Sequence, residues 1–121
     1  MAIIGFPEKP IRAFGNNRGV FVYSFVTAGG ANPTVASGDT DLIASNVYGA
    51  TGIYTITFKK RFTSAIVKAT MTGVAVTDTV HVTSKTFGRN AACVLVVSTA
   101  QSLAAHAFTG PTVDIELTIT P

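Results

Sequence analysis

The stretch Val113-Asp114-Ile115-Glu116-Leu117-Thr118-Ile119-Thr120 decides the fold class. Apolar side chains occupy its odd-numbered positions, and polar or charged side chains occupy the even-numbered ones. A period of two places the two sets on opposite faces of a β-strand. The stretch therefore predicts a strand with one buried and one solvated face, and the preceding Gly110-Pro111 predicts where that strand starts.

Six more stretches have the composition of strands, because Thr, Val, Ile, Tyr and Phe recur in them and turn residues separate them. Three of the six alternate, Thr79 to Lys85 more weakly and Ile66 to Thr72 imperfectly, two are apolar on both faces, and one is short. They are Gly19 to Val26, Asp41 to Val47, Tyr54 to Phe58, Ile66 to Thr72, Thr79 to Lys85 and Ala92 to Val97.

Short strands at this spacing predict an all-β fold, a single antiparallel β-sandwich or jelly-roll-like domain over residues 19–121. The two-faced stretches, Gly19 to Val26 and Ala92 to Val97, either lie centrally in a sheet or contact a neighbour on their second face. Ala28 to Gly38 predicts a flexible surface loop. Ser98 to Phe108 predicts a long connection that holds one helical turn.

The composition indicates a protein that is covered by other chains. Its 121 residues fit one domain, and a hydrophobic fraction of 47% with a mean hydropathy of +0.43 excludes a disordered chain. Charged residues make up only 12%, about half the usual share of roughly 25%. We therefore expect part of the surface to be buried in an assembly.

Net charge, the N-terminal residues and the length of the apolar runs give little support for nucleic-acid binding, export or membrane insertion. The charge of +3 and the isoelectric point near 9.3 are weak evidence for nucleic acid. Met1 to Phe6 lacks a basic region, and Pro7 interrupts the apolar stretch, so we expect no signal peptide. No apolar run approaches the roughly 18 residues of a spanning helix, and we expect no membrane insertion.

The chemistry-bearing residues do not form a motif of catalysis or metal binding. His81 and His106 show no ligand spacing with Cys93 or a carboxylate, and Cys93 lies in an apolar run that favours structural burial over reactivity. Asp114 and Glu116 share a face as glycosidase carboxylates could, but a solvated sheet face is the commoner reason for such a pair. We expect no enzyme activity, no cofactor and no metal.

The first eighteen residues predict an extended N-terminal arm that becomes ordered against a partner, with a frayed terminus as the alternative. They contain prolines and glycines and only one acidic residue. Their apolar side chains exceed what a solvated tail needs, and two arginines accompany them. The candidate partner-binding residues of the arm are Ile3, Ile4, Phe6, Ile11, Arg12, Phe14 and Arg18.

A second candidate partner-binding element is the basic run Lys59, Lys60 and Arg61, between Phe58 and Phe62. It directly follows a predicted strand, where a turn would expose it. A solvated turn without a partner and contact with an acidic protein patch are the main alternatives. Single-stranded nucleic-acid binders also interleave aromatic and basic residues, but the sequence offers no second basic stripe, so nucleic acid is an unfavoured partner.

The segment from Ser45 to Phe62 resembles a recurring element of small virion proteins of tailed bacteriophages. There, a polar Thr-Gly turn leads into a Tyr-Thr-hydrophobic-Thr strand, which a charged turn and an aromatic residue follow. The similarity continues through a Val-rich strand, an Ala-rich loop and the final alternating strand, and covers Val47 to Pro121.

This resemblance implies a non-enzymatic virion protein on the outer capsid surface, made in the host cytoplasm. The implied function is that of a head decoration or cement protein that bridges subunits of the major capsid protein. A homo-oligomer is expected, with a trimer favoured. The alternative is a tail, collar or fibre component, in which Gly29 to Gly38 and Ser98 to Pro111 present a receptor-binding surface.

Overall fold

The computed structural model describes residues 19–73 and 75–120. Over these ranges the chain forms two antiparallel sheets that pack face to face, and this confirms the predicted all-β sandwich. The predicted arm, residues 1–18, lies outside the described residues, and its role stays a prediction.

Nine strands and one short 3-10 helix follow one another along the described chain. They are β1 (Gly19–Ala28), β2 (Ala36–Gly38), the 3-10 helix η1 (Thr40–Leu42), β3 (Ile43–Tyr48), β4 (Ile53–Phe58), β5 (Ser64–Thr72), β6 (Asp78–Thr86), β7 (Val94–Gln101), β8 (Ala104–Ala105) and β9 (Thr109–Thr120).

The first sheet has the strand order β2-β1-β9-β5. The second has the order β3-β4-β7-β6, and β8 pairs with β7. Strand β9 is central in the first sheet, because Ile115 lies opposite Tyr23 of β1 on one side and opposite Ala69 of β5 on the other. The most clearly alternating stretch of the sequence is thus the strand that joins both halves of its sheet.

The core lies between the two sheets and is built by alternation. On β9 the odd-numbered side chains from Val113 to Ile119 are buried, as the sequence predicts. Leu95 and Val97 of β7 face them from the second sheet with no exposed surface. Burying one such side chain contributes about 1.5–3 kcal/mol, so these strands supply much of the stability.

Two tyrosines, Tyr23 and Tyr54, bring hydroxyl groups into the core between the sheets. Asn46 donates a hydrogen bond through Nδ2 to the Tyr23 hydroxyl at 3.1 Å, which links β3 to β1. The Tyr54 hydroxyl is buried and has no hydrogen-bond partner within the described residues. Burial raises the pKa of Tyr54 above its ordinary value of 10.0, and the neighbouring Tyr48 raises it further. Burial also raises the pKa of Tyr23, which the Asn46 hydrogen bond partly offsets.

Both strands that the sequence predicts to be apolar on two faces are interior strands. Strand β1 lies between β2 and β9, and β7 lies between β4 and β6. The first of the two alternatives for these stretches, a central position, is therefore confirmed. Val94 and Val96 of β7 turn their side chains to the outer face of the second sheet, where each is half-buried.

The helical turn predicted between Ser98 and Phe108 is wrong. Strand β7 continues to Gln101, and Ser102 and Leu103 then turn the chain into β8 with left-handed φ values of 48° and 70°. The Ala-rich run has helical propensity, but pairing of β7 with both β6 and β8 prevails over it. Ser98 to Phe108 is a hairpin.

Other element boundaries also differ from the prediction. The stretch Ala28 to Gly38 contains the edge strand β2, which pairs with β1, so it is not a loop throughout. The predicted strand Asp41 to Val47 begins later, at Ile43, because η1 occupies Thr40–Leu42. The last strand begins at Thr109, before Gly110-Pro111, since Ala28 lies opposite Thr109.

Candidate functional site

The basic run lies on the turn between β4 and β5, held at each side by a buried phenylalanine. Phe58 and Phe62 are 3% and 2% exposed, and their rings make an edge contact with centroids 5.4 Å apart. The three residues between them, Lys59, Lys60 and Arg61, are all exposed. Because both sides of the turn are anchored in the core, these cations project into solvent, as predicted.

The burial of both rings weakens the nucleic-acid alternative. Binding of single strands relies on bases stacking on accessible aromatic faces. Phe58 and Phe62 instead pack against Phe87, with ring centroids 6.3 and 4.8 Å away. Neither ring of this pair presents a face to solvent.

The Cys93 thiol connects the loop that contains Gly88 to the turn between β4 and β5. Its Sγ accepts a hydrogen bond from the Phe62 backbone N–H at 3.4 Å and lies 3.5 Å from the Gly88 carbonyl oxygen. An isolated β-bridge pairs Phe62 with Gly88 directly. The thiol has no exposed surface, so the predicted structural role of Cys93 fits its position, and a nucleophilic role does not.

Arg89 follows Gly88 and is exposed at the same end of the sandwich. Arg89 is a fourth cation beside the turn, and it is not among the partner-binding residues predicted from the sequence. The pairing of Phe62 with Gly88 spans 26 residues, and no local pattern indicates it. Lys59, Lys60, Arg61 and Arg89 together are called the basic end below.

Two acidic residues, Asp39 and Asp41, lie near the basic end. The Lys59 backbone N–H donates to the Leu42 carbonyl oxygen at 2.8 Å, which places η1 and its exposed Asp41 beside the turn. Asp39 accepts a hydrogen bond from the Val22 backbone N–H through Oδ2 at 2.9 Å, so this carboxylate is engaged with β1. Lys85, near the end of β6, adds a further exposed cation.

The opposite end of the sandwich carries neither Lys nor Arg within the described ranges. Its turns are residues 29–35, 49–52, 102–103 and 106–108, together with Gly73 and residues 75–77. Its one carboxylate, that of Asp78, accepts a hydrogen bond from the Ala75 backbone N–H at 3.1 Å. The structure describes six Lys and Arg residues. Four form the basic end, Lys85 lies near it, and Lys68 lies away from it within β5.

The paired carboxylates of β9 lie on an open sheet face. Asp114 accepts a hydrogen bond from the Ser24 hydroxyl at 2.6 Å, and Glu116 lies opposite Lys68 in the register with β5. A flat, solvated surface of this kind lacks the enclosed substrate position that a glycosidase pair needs. Their arrangement fits the solvated sheet face predicted from the sequence.

The histidines are far from a ligand arrangement. His81 is exposed on β6, and the ring of His106 packs edge-on against Phe108 with centroids 4.5 Å apart. Among residues 19–73 and 75–120, no three His, Cys, Asp or Glu side chains come together as a metal site. No helix in that part of the chain is long and apolar enough to cross a membrane.

The candidate residues of the arm lie outside the described residues: Ile3, Ile4, Phe6, Ile11, Arg12, Phe14 and Arg18. Their point of attachment is nevertheless defined. Gly19, the first described residue, lies opposite Ile119 of β9, and Ile119 lies opposite Ala65 at the start of β5. Residues 1–18 are therefore attached at the same end of the sandwich as the basic turn.

No protein-family model matches the chain, and neither a curated protein nor a solved structure matches it significantly.

Proposed function

We propose that the chain is a non-enzymatic virion structural protein that decorates the outside of a bacteriophage head and bridges subunits of the major capsid protein. The observation that carries the proposal is the one-sided placement of charge. Four exposed cations meet at one end of the sandwich, and the opposite end has none among the described residues.

A surface of this kind suits an acidic protein patch. Complementary charge speeds encounter and fixes orientation, and exposed Lys and Arg retain their hydration until they meet a partner. The basic end is also held rigidly, because the Cys93 thiol and the Phe62–Gly88 bridge join its two loops. Rigid loops lose little conformational entropy when they bind, which favours a stable contact.

The positions of the candidate catalytic side chains support a non-enzymatic role. Cys93 is fully buried, and Asp114 is bonded to Ser24 on an open face. His81 is exposed on the other sheet. The side chains considered for catalysis are thus dispersed over different surfaces of the domain.

Binding to capsids that lack the chain tests the proposal. The double variant Lys60→Glu with Arg61→Glu should bind at least about tenfold more weakly than the natural chain, and higher salt should weaken binding of the natural chain. Lys68→Glu, a charge reversal on the outer face of β5, is the matched control and should bind normally. Equal binding of all three proteins would remove the basic end from the function.

Arg89→Ser tests whether the fourth cation belongs to the same surface. We expect a smaller loss of capsid affinity than for the double variant, with the same direction of salt dependence. Unchanged affinity would restrict the surface to the turn between β4 and β5.

The arm is tested separately by deleting residues 1–18. If the arm adds anchors to a neighbouring capsid subunit, occupancy of the particle should fall while the sandwich still unfolds cooperatively. Undiminished occupancy would remove the arm from the mechanism.

A tail, collar or fibre component is the second candidate, and the end opposite the basic end favours it. Val76 and Leu103 are 100% and 98% exposed, and a hydrogen bond of 3.0 Å from Ser102 N–H to the Thr77 carbonyl oxygen joins their two turns. Exposed apolar tips on neighbouring turns are suited to receptor contact. Immunogold labelling of intact particles separates the two candidates by the position of the label on head or tail.

A further inference from the structure

Apart from the two-residue β8, the described sheets have four edge strands, and three of them are blunted in ways that oppose further pairing. Strand β2 is only three residues long. Strands β3 and β6 each have a bulge in their register, between Ile43 and Ser45 and between Val82 and Ser84. Strand β5 differs, because all of its residues from Ser64 to Thr72 pair with β9 without a break. It is the one long, regular edge among the described residues.

The side of the sandwich between β5 and β6 is only half closed. Five apolar side chains along it pack against the core but are only half-buried. They are Val67, Ala69 and Met71 of β5 and Val80 and Val82 of β6, and we call them the open seam. On the central strand β9, by contrast, the inward side chains from Val113 to Ile119 are at most 6% exposed. A strand added along β5 would cover the open seam.

We propose that the segment Ala2 to Phe6 of the same chain binds along the free edge of β5 as an additional antiparallel strand. The segment lies outside the described residues, and its composition and attachment select it as the occupant. Ala2, Ile4 and Phe6 occupy alternate positions, which is the period of a strand with one apolar face. Pro7 follows and cannot donate to a ladder, so the added strand ends there.

The point of attachment sets the direction of the added strand. Strands β1 and β5 both run antiparallel to β9, so both leave the basic end in the same direction. A segment that precedes Gly19 and returns to the basic end therefore runs antiparallel to β5. Antiparallel pairing is slightly more stable per residue than parallel pairing.

The connection between the segment and the sandwich is long enough. The position beside β5 lies three strand spacings from β1, about 14 Å. The 12 residues from Pro7 to Arg18 can extend over about 40 Å. The segment thus reaches the free edge of β5 in its own chain.

A second copy of β5 is a poor occupant of the same edge. Full two-fold pairing of two β5 strands would place two Lys68 side chains opposite each other, because Lys68 is the middle residue of the strand. Like charges directly opposite each other destabilise a sheet. The segment Ala2 to Phe6 has no charged side chain, and its attachment gives it a high effective concentration that a separate molecule lacks.

This inference does not rest on the proposed function. It assigns Ile4 and Phe6, predicted above as partner-binding residues, to the closure of their own domain. It leaves Ile11, Arg12, Phe14 and Arg18 for the capsid partner. The two proposals can therefore fail separately.

Amide hydrogen exchange on the full chain, followed by NMR, tests the pairing. The variant Ile4→Asp places a carboxylate on the apolar face of the segment, and the matched control Ile11→Asp places the same charge in the connection. We expect the β5 amides that point away from β9 to exchange at least about tenfold faster in Ile4→Asp than in the natural chain and in Ile11→Asp. Deletion of residues 1–6 should have the same effect as Ile4→Asp.

Two internal references accompany the measurement. The amides of β9 should stay slow in every protein, because the sandwich does not depend on the segment, and the free-edge amides of β6 should not change. Rates should also be equal at about 20 μM and about 1 mM, since an intramolecular contact is independent of concentration.

Fast exchange of these β5 amides in the natural chain, or equal rates in Ile4→Asp and the natural chain, would overturn the inference. Protection that increases with concentration would also overturn it, because another copy would then supply the strand. Capsid binding of Ile4→Asp, measured as above, reports on the proposed function independently, since the variant leaves the basic end unchanged.

Discussion

The two ends of the sandwich are closed in different ways. At the basic end, side chains close the fold: three phenylalanine rings pack around the turn, and the Cys93 thiol bonds to two loops. At the opposite end, hydrogen bonds around Gly52 close it: the Gly52 carbonyl accepts one from Thr99 N–H at 2.8 Å, and the Thr99 hydroxyl donates one to the His106 carbonyl at 2.7 Å.

This difference indicates which substitutions each end accepts without losing stability. The end that closes around Gly52 depends on that glycine and on the few side chains that bond to the backbone there, such as those of Thr99 and Tyr48. An end that is closed by buried side chains depends on those side chains, and the exposed cations above them are free to serve a partner. Under the proposed function, stability and partner binding therefore depend on different residues at the basic end.

The largest effect is expected for Gly52→Ala. An added Cβ would lie 2.6 Å from the Thr99 carbonyl oxygen and 2.7 Å from the His106 carbonyl oxygen, and the φ of Gly52 is +73°. Left-handed strain and overpacking together should cost about 3 kcal/mol. Urea unfolding should show this loss. Gly49→Ala is the control, because a Cβ there meets nothing within 4 Å; equal loss in both variants would show that this end does not depend on the close packing around Gly52.

Cys93→Ala should have the next largest effect, about 2 kcal/mol. The change leaves a small cavity and removes the acceptor of the Phe62 N–H, both in a fully buried position. The unfolding midpoint in urea measures the loss. Ala92→Ser, at the exposed neighbouring residue, should change stability by less than about 0.5 kcal/mol. A Cys93→Ala protein as stable as the natural one would show that the thiol does not hold the basic end.

Tyr54→Phe should leave stability nearly unchanged near neutral pH, because the hydroxyl lacks a partner within the described residues. Tyr48→Phe should cost about 1 kcal/mol, since the Tyr48 hydroxyl accepts a hydrogen bond from Gly52 N–H at 3.0 Å. Urea unfolding at neutral pH compares the two. A costly Tyr54→Phe would reveal a partner for that hydroxyl.

The alkaline behaviour of Tyr54→Phe gives a further test. Because the pKa of Tyr54 is raised in the folded protein above 10.0, the unfolded chain loses this proton first. Stability from this group is fully present below pH 10 and is lost as pH rises through the folded pKa. Tyr54→Phe should therefore lose less stability than the natural chain between about pH 9 and about pH 11. Identical slopes would show that the Tyr54 pKa is not shifted.

The smallest effect on stability is expected for the basic end itself. Arg61→Ser and Arg89→Ser alter exposed side chains, and each should change the free energy of unfolding by less than about 0.5 kcal/mol. Thermal unfolding measures this, while capsid binding of the same proteins falls. A large loss of stability would show that these cations close the fold and are not free for a partner.

Much of the fold was predictable because alternation is a local property. The period of two in Val113 to Thr120 fixes which side chains of β9 are buried, whatever the strand pairs with. The hairpin at Ser102 and Leu103 was not predictable, because its left-handed turn lacks the glycine or asparagine that usually marks one. Partner strands decide such a turn, and a single sequence does not name them.

The candidate site also has one part that was predictable from the sequence and one part that was not. The turn Lys59 to Arg61 and its two flanking rings could be recognised from adjacent residues. Arg89 could not, because its place depends on the pairing of Phe62 with Gly88. The sequence also did not show that Phe58 and Phe62 are buried and cannot stack on bases. An aromatic residue beside a basic run can be either exposed or buried.

The amino-acid sequence by itself determined the all-β class, the buried face of each alternating strand and the low charge of the chain, because these follow from residue type and spacing along one strand. Only the tertiary structure decided that the cations gather at one end and that β5 lies at the edge of its sheet. Both features combine strands that are distant in sequence, and sheet order, which long-range pairing sets, brings them together.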